Sequence, residues 1–148
     1  MVSIEYNEFL KKVEFCGLRV KEASFSTSDD FFNVDGDKEL KKKLDFGVLN
    51  ICQDVDEETF SADVFFQVGI KQSKKILFKV RSVYQIIFLK FDCATSEADV
   101  AKFCNTTIKA TIFPYFRHSY NQVCLDAHVD LPPLPMLKIV PKVGVLAD

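Results

Sequence analysis

The sequence contains no tryptophan, only two histidines, and no glycine-rich motif that could hold a phosphate. Without Gly-x-Gly-x-x-Gly or a Walker-type loop, a dinucleotide site or a P-loop is not expected. No Ser, Cys or Asp stands in a recognisable nucleophile context. We therefore expect a binding protein rather than an enzyme, with no catalytic residues and no cofactor.

The five cysteines, at positions 16, 52, 93, 104 and 124, include no Cys-x-x-Cys pair. An odd count without that spacing argues against a disulfide framework or a zinc site, and favours buried free thiols. His118 and His128 lie ten residues apart, so no metal site is expected. Cys104 or Cys124 could in principle form a dyad with His118, but both follow an apolar helical pattern that favours inert burial.

The chain also lacks a strong charge bias and a long apolar run. Its net charge is -2, from 19 basic and 21 acidic residues, so bulk electrostatics recruit no nucleic acid. No segment approaches the roughly 20 apolar residues of a membrane span. Glu5, Glu8, Lys11 and Lys12 interrupt the N-terminal stretch, so no signal peptide is predicted and we expect a cytoplasmic protein without membrane insertion.

Apolar residues are plentiful: they make up 48% of the 148 residues, and 15 are Phe. So much Phe indicates either a Phe-rich core or apolar surface that is exposed or shared between subunits. No linker or repeat divides the chain, so residues 1–148 are predicted to form one domain.

The predicted fold class is α+β. An N-terminal helix (1–16) is followed by a four-stranded antiparallel sheet (17–91), a helical region (96–130), and a strap and tail (131–148). The clearest alternation, "ETFSADVFFQVGI", places Phe60, Ala62, Val64, Phe66, Val68 and Ile70 on one face. Short links suggest a meander, although the link from 26 to 40 is long enough to cross over.

The helical region begins with Ser96 and Asp99, which resemble a capping box. Farther on, "IFPYFRHSYNQVCLDAHVDLPPL" (112–134) carries more large apolar side chains than one modest helix can hide. Pro114 predicts either a kink or the first turn of a second helix.

This stretch resembles the SecB family of export chaperones. The resemblance rests on Phe113-Pro114-Tyr115-x-Arg117 and on the strap Pro132-Pro133-Leu134, supported by "VKEASFS" and "KKLDF", and it runs from about 18 to 138. The N-terminal helix and Leu-Pro-Pro-Leu look closer to the SecB-like chaperones of toxin–antitoxin systems.

The resemblance implies helices packed on one face of the sheet, a homotetramer built as a dimer of dimers, and ATP-independent holding of unfolded polypeptides. The client is either a pre-secretory protein, in protein export, or an antitoxin. The implied client-binding residues are Phe31, Phe32, Leu44, Phe46, Phe113, Phe116, Tyr120, Val123, Leu131 and Leu134. One apolar groove position of the family falls on Lys42.

Export members dock on the ATPase SecA through acidic residues of the sheet. The matching positions are Glu22, Ser26 and Lys79, so one acid remains and one position is reversed in charge. Loss of these charges weakens steering and contact with a basic partner, which puts docking on SecA in doubt.

Two other functions are also consistent with the sequence. The first is a carrier of a small apolar ligand, which would bind a fluorescent fatty acid. The second is a non-catalytic structural partner subunit without clients.

Overall fold

The computed structural model describes residues 4–28, 40–92 and 95–127. Its elements, in chain order, are α1 (Ile4–Lys12), β1 (Glu14–Thr27), β2 (Leu40–Asp54), β3 (Thr59–Gln72), β4 (Lys75–Leu89), α2 (Glu97–Phe103) and α3 (Lys109–Asp126). A π-helical turn, Cys104–Ile108, joins α2 to α3 without a break. The predicted residues Phe31, Phe32, Leu131 and Leu134 lie outside the described ranges.

The four strands form one antiparallel sheet in the order β1-β4-β3-β2. The predicted four-stranded antiparallel sheet is therefore confirmed. Strands β2, β3 and β4 follow one another as hairpins, whereas β1 pairs with β4 at the far edge. The simple meander is wrong, because the link from β1 to β2 passes from one edge of the sheet to the other.

Strand β3 carries the alternation that the sequence predicts. Every second residue from Phe60 to Ile70 is buried, and the residues between them are half-buried. Strand β4 buries Phe78, Val80, Tyr84, Ile86 and Phe88 on the same face, in register with β3. These two central strands form the floor of the core, since residues that lie opposite each other in an antiparallel pair share a face.

The two edge strands contain bulges, which change the side-chain alternation. Register shifts occur between Phe15 and Gly17 and between Val20 and Glu22 in β1, and between Val48 and Asn50 in β2. An extra residue in one strand sends the following side chains to the opposite face.

The helices α2 and α3 cover the apolar face of β3 and β4. Ser96 caps α2, because its Oγ accepts a hydrogen bond from the Asp99 backbone N–H at 3.2 Å. Pro114 lies inside α3, after the π-helical turn, so it does not mark the first turn of a second helix. Of the helices in the described ranges, none combines the length and apolarity needed to cross a membrane.

At one end of the sheet, aromatic rings tie α1 and α2 to the strands. Phe60 stacks on Phe91 with ring centroids 4.3 Å apart, and Phe9 meets Phe91 edge to face at 4.9 Å. Phe103 approaches Phe88 at 4.9 Å. Ring pairs of this geometry add to the stability that burial itself provides, so part of the Phe content belongs to the core.

The cysteines divide into two classes. The four within the described residues are free, with Cys104 and Cys124 buried but Cys16 and Cys52 exposed. The expectation of general burial is therefore wrong for Cys16 and Cys52, which lie on the edge strands. Burial raises the pKa of Cys104 to about 11.

We expect Phe60→Ala to lower the free energy of unfolding by about 3–5 kcal/mol, because it opens a cavity beneath three neighbouring rings. Val55→Ala is the matched control, since Val55 lies in a turn and is 71% exposed. Urea unfolding of both variants measures the difference, and equal midpoints would contradict this description of the core.

We expect Cys16 and Cys52 to react rapidly with a thiol reagent at pH 8, while Cys104 and Cys124 stay protected. The reactive species is the thiolate, and both burial and a raised pKa suppress it at the buried positions. Mass spectrometry of peptides after timed labelling assigns the rates. Labelling of Cys104 as fast as Cys16 would show that its environment opens readily.

Candidate functional site

Helix α3 covers the middle of the sheet and leaves both edges open. Phe113 and Phe116 pack on Phe66 of β3, with ring centroids 5.5 and 5.3 Å apart. Tyr120 packs on Phe78 of β4 at 6.3 Å. The edge strands extend beyond this contact, so their apolar side chains on the same face stay accessible.

On β1 these accessible side chains form what we call the β1 strip: Phe15, Leu18, Val20, Ala23 and Phe25. They lie opposite Phe88, Ile86, Tyr84, Ser82 and Val80 of β4, which places them on the helix-covered face. Phe15, Val20 and Phe25 are 51%, 58% and 46% exposed. Such a row of exposed apolar side chains is typical of an interaction surface.

A second row, the β2 strip, comprises Leu44, Phe46, Val48 and Ile51. Its members lie opposite Val68, Phe66, Val64 and Ala62 of β3, again on the helix-covered face. Phe46 is half-buried against Phe66, with ring centroids 4.9 Å apart, and the other three are exposed. The two strips run along opposite sides of α3.

A cleft of about 510 Å³ separates the β1 strip from α3, whose Tyr115, His118 and Ser119 form the facing wall. It continues into a smaller cleft of about 200 Å³ beside Phe25 and Val123. Both clefts share the small residues Ala23, Ser82 and Ser119. These short side chains leave the space that the two clefts occupy, because larger side chains at the same positions would fill it.

The predicted site residues therefore separate by environment. Leu44 and Phe46 lie on the β2 strip, and Val123 lines the smaller cleft. Phe113, Phe116 and Tyr120 lie at 3%, 0% and 0% exposure against the sheet. In this conformation those three rings belong to the core, so their predicted contact with a client requires α3 to move; their role in client binding stays a prediction.

The β1 strip was not among the predicted site residues, because bulges hide its periodicity. Phe15 and Leu18 are three residues apart, as are Val20 and Ala23, so a search for every second residue misses them. The signal that could have identified this strip is a series of apolar residues in one strand, separated by either two or three positions. Each separation of three positions coincides with a bulge.

Burial shifts the pKa values of three side chains between β2 and the C-terminal half of α3. The Lys42 Nζ lies 5.2 Å from the centroid of the Tyr120 ring. Burial raises the pKa values of Tyr120 and Cys124 and lowers the pKa of Lys42. In the part of the chain that the structure describes, no group of three His, Cys, Asp or Glu side chains is placed to hold a metal ion.

The opposite face of the sheet contains the three positions matched to SecA docking. Ser26 lies directly opposite Lys79, and Glu22 lies opposite Val83. Lys43 lies across Gly69 from Lys79, on the same row of the sheet. The three positions therefore lie on the same face of the β1–β4 pair. The family resemblance implies an acidic surface there, but this chain has the cation Lys79.

No protein-family model matches the chain, and neither does any curated protein sequence. Among solved structures, the fold matches a SecB-like chaperone from Mycobacterium tuberculosis in complex with a ChAD peptide from the HigA1 antitoxin, with a TM-score of 0.68 and 15% sequence identity. The alignment covers 93% of this chain and 98% of that chain.

A protein of unknown function from Streptococcus agalactiae aligns over 86% of this chain and 97% of its own, with 13% identity. Its TM-score of 0.38 is too low to carry an argument. The mycobacterial match, by contrast, agrees with the antiparallel sheet and the helices described above. The chain therefore has a SecB-like fold.

Proposed function

We propose that the protein is a non-catalytic, SecB-like chaperone that holds unfolded polypeptide segments without ATP. The observation that carries this proposal is the β2 strip, an apolar row beside α3 in which Leu44, Val48 and Ile51 are exposed. Apolar surface attracts without strict direction, so one strip accommodates different client sequences. The β2 backbone also forms a sheet edge to which an extended client can add.

The nature of the client is proposed from the structural neighbour and from the sheet surface. The mycobacterial SecB-like chaperone was solved with an antitoxin peptide, which supports a polypeptide client and favours an antitoxin over a pre-secretory protein. Lys79 beside Ser26 gives an export ATPase no acidic surface to contact at that place. The free, exposed Cys16 and Cys52 fit a reducing compartment, and we propose the cytoplasm.

The β1 strip is the second large apolar row, and we propose that another copy of the chain covers it. Phe15, Val20 and Phe25 are about half exposed in a row on one edge strand, and a contiguous apolar row of this kind is typical of an interaction surface. In a homotetramer arranged as a dimer of dimers, the β1 strips of two subunits would pack against each other across a two-fold axis. The β2 strips would then remain accessible to clients.

A carrier of a small apolar ligand is the second candidate. The 510 Å³ cleft beside the β1 strip falls within the roughly 300–1,000 Å³ that ligand pockets occupy. Titration with a fluorescent fatty acid separates the two functions. Saturable binding at one site per chain, abolished by Val20→Asp, would favour the carrier.

We expect Leu44→Ser and Val48→Ser to weaken client holding by about tenfold or more each, because each removes a contact worth about 1.5–3 kcal/mol when fully buried. Suppression of aggregation of a slow-folding client measures the effect, and thermal melting reports the fold. Val55→Ser controls for an exposed apolar residue outside the strip.

Phe116→Ser serves as the opposite control, since Phe116 is fully buried. We expect this variant to lose about 3–5 kcal/mol of stability through truncation of a core ring. Undiminished holding by both Leu44→Ser and Val48→Ser would remove the β2 strip from the proposal.

We expect sedimentation equilibrium at micromolar concentration to give about four times the chain mass of 16.9 kDa. Val20→Asp and Phe25→Asp should reduce that mass, because each places a carboxylate in the proposed contact. Cys52→Asp, at an exposed position of the other edge strand, is the control. A monomeric wild-type protein would contradict the assembly, and unchanged mass in both variants would move it away from the β1 strip.

A further inference from the structure

The face of the sheet opposite the helices, here called the outer face, concentrates positive charge at one end. Residues that lie opposite each other in neighbouring strands share a face. Lys43 of β2 lies opposite Gly69 of β3, and Gly69 lies opposite Lys79 of β4. Two residues along the strands, on the same face, Lys41 lies directly opposite Lys71. We call these four lysines around Gly69 the basic cluster.

Little negative charge balances the basic cluster. The Lys43 Nζ approaches the Asp45 carboxylate at 3.6 Å, through side chains that are 76% and 39% exposed. Lys41, Lys71 and Lys79 form no ion pair with any residue in the described ranges. Like charges directly opposite each other destabilise an antiparallel pair. The Lys41–Lys71 pair therefore costs the fold some stability, which an anionic partner would restore.

Gly69 leaves space at the centre of the basic cluster. A Cβ added to Gly69 would have no heavy atom within 4 Å among the described residues. Glycine weakens the interior of a strand, and there it often marks a place where another chain approaches the backbone closely. Gly47 differs, because an added Cβ would lie 2.5 Å from Cε1 of the Phe65 ring. Packing therefore requires glycine at position 47, whereas the described neighbours of Gly69 impose no such requirement.

Arg81 adds a cation at the border of the basic cluster. It lies opposite Gln67 in the register and donates a hydrogen bond from Nη1 to Gln67 Oε1 at 3.4 Å. The central carbon of its guanidinium lies 4.4 Å from the centroid of the Phe65 ring. The attraction between a guanidinium and a ring face, together with the hydrogen bond, holds this charge on the outer face.

We propose that the basic cluster docks an acidic segment of a partner polypeptide, whose carboxylates pair with Lys41, Lys71 and Lys79 around Gly69. Carboxylates at these places offset the repulsion between the lysines, and the positive field steers an acidic partner toward them. The cluster lies on the face opposite the β2 strip. Docking there is therefore separate from client holding and does not depend on it.

The dimensions of the basic cluster favour a short polypeptide segment over a nucleic acid or a membrane surface. Lys41 and Asp45 are four residues apart on β2, which is about 13 Å, and β2 and β4 lie about 10 Å apart on either side of β3. Farther along the same hairpin, residues 54–58 contain four acidic residues. A duplex or a bilayer laid along the sheet would meet these acids too, whereas a few residues of extended chain fit within the positive region.

The first test measures docking directly. A fluorescently labelled octapeptide of alternating Glu and Ser is titrated with the full chain at low salt, and fluorescence anisotropy gives its Kd. An octapeptide of alternating Gln and Ser should bind about tenfold more weakly or worse. Lys41→Gln, Lys71→Gln and Lys79→Gln should each weaken the acidic peptide about twofold to fivefold, and the triple variant about tenfold or more.

Lys12→Gln is the matched control, because Lys12 is an exposed cation at the end of α1, which packs near the far end of the sheet. It removes the same charge and should leave the Kd unchanged, as should Leu44→Ser on the other face. Lys71→Gln should melt at the same temperature as the wild type or higher, because it removes a like-charge contact. Weaker docking with retained stability excludes a purely structural role.

A second pair of variants tests the centre of the basic cluster. Gly69→Glu and Gly69→Gln place side chains of nearly equal volume in the open space, so both should fold. The carboxylate of Gly69→Glu would take the place of one from the peptide. This variant should therefore melt at a higher temperature than Gly69→Gln and bind the acidic peptide more weakly. Salt at about 0.5 M should remove both differences by screening.

Three outcomes would overturn the proposal. Equal Kd values for the acidic and neutral peptides, or an unchanged Kd in the triple variant, would make the basic cluster an ordinary solvated end of the sheet. Tighter binding of a single-stranded oligonucleotide, or of vesicles containing an anionic lipid, would assign it to that partner instead. A lower mass of the triple variant in sedimentation equilibrium would assign it to the acidic residues 54–58 of a second copy.

Discussion

One geometric constraint governs this molecule: a single helix is too narrow to cover a four-stranded sheet. The outer strands of such a sheet lie about 14 Å apart, and an α-helix with its side chains is about 10–12 Å wide. Helix α3 packs on β3 and β4 and buries their alternating residues, so β1 and β2 extend past it on either side. The exposed strips are a direct consequence of that mismatch, because both edge strands carry apolar residues on the covered face.

The regular part of the fold could be read from the sequence, and the irregular part could not. The alternation from Phe60 to Ile70 identified β3 and its buried face, and Ser96 marked the start of α2. The short links favoured a meander and left a crossover open for the β1–β2 link, because strand order depends on which edges pair and not on local periodicity. The exposure of Cys16 and Cys52 likewise follows from their place on edge strands, which sequence order does not determine.

The candidate site shows the same division. Leu44 and Phe46 were predicted from the resemblance and lie on an accessible strip, but Phe116 and Tyr120, predicted on the same basis, are fully buried. Helical spacing identifies a continuous apolar face without telling which part of that face meets the sheet. Only the packing of α3 on Phe66 separates residues that stabilise the fold from residues that remain free to bind.

Two long apolar edge strands are a liability, since an unpaired edge can add strands from any neighbouring chain. The bulges in β1 and β2 reduce that risk, because each interrupts the regular ladder of backbone groups that a strand needs for pairing. The run Lys41-Lys42-Lys43 adds charge at one end of β2. The bulges also return Ala23, Phe25 and Ile51 to the covered face after each change of alternation, so a feature that limits indiscriminate pairing also keeps the apolar rows continuous. In this fold, protection of the edge and construction of a binding surface therefore depend on the same few residues.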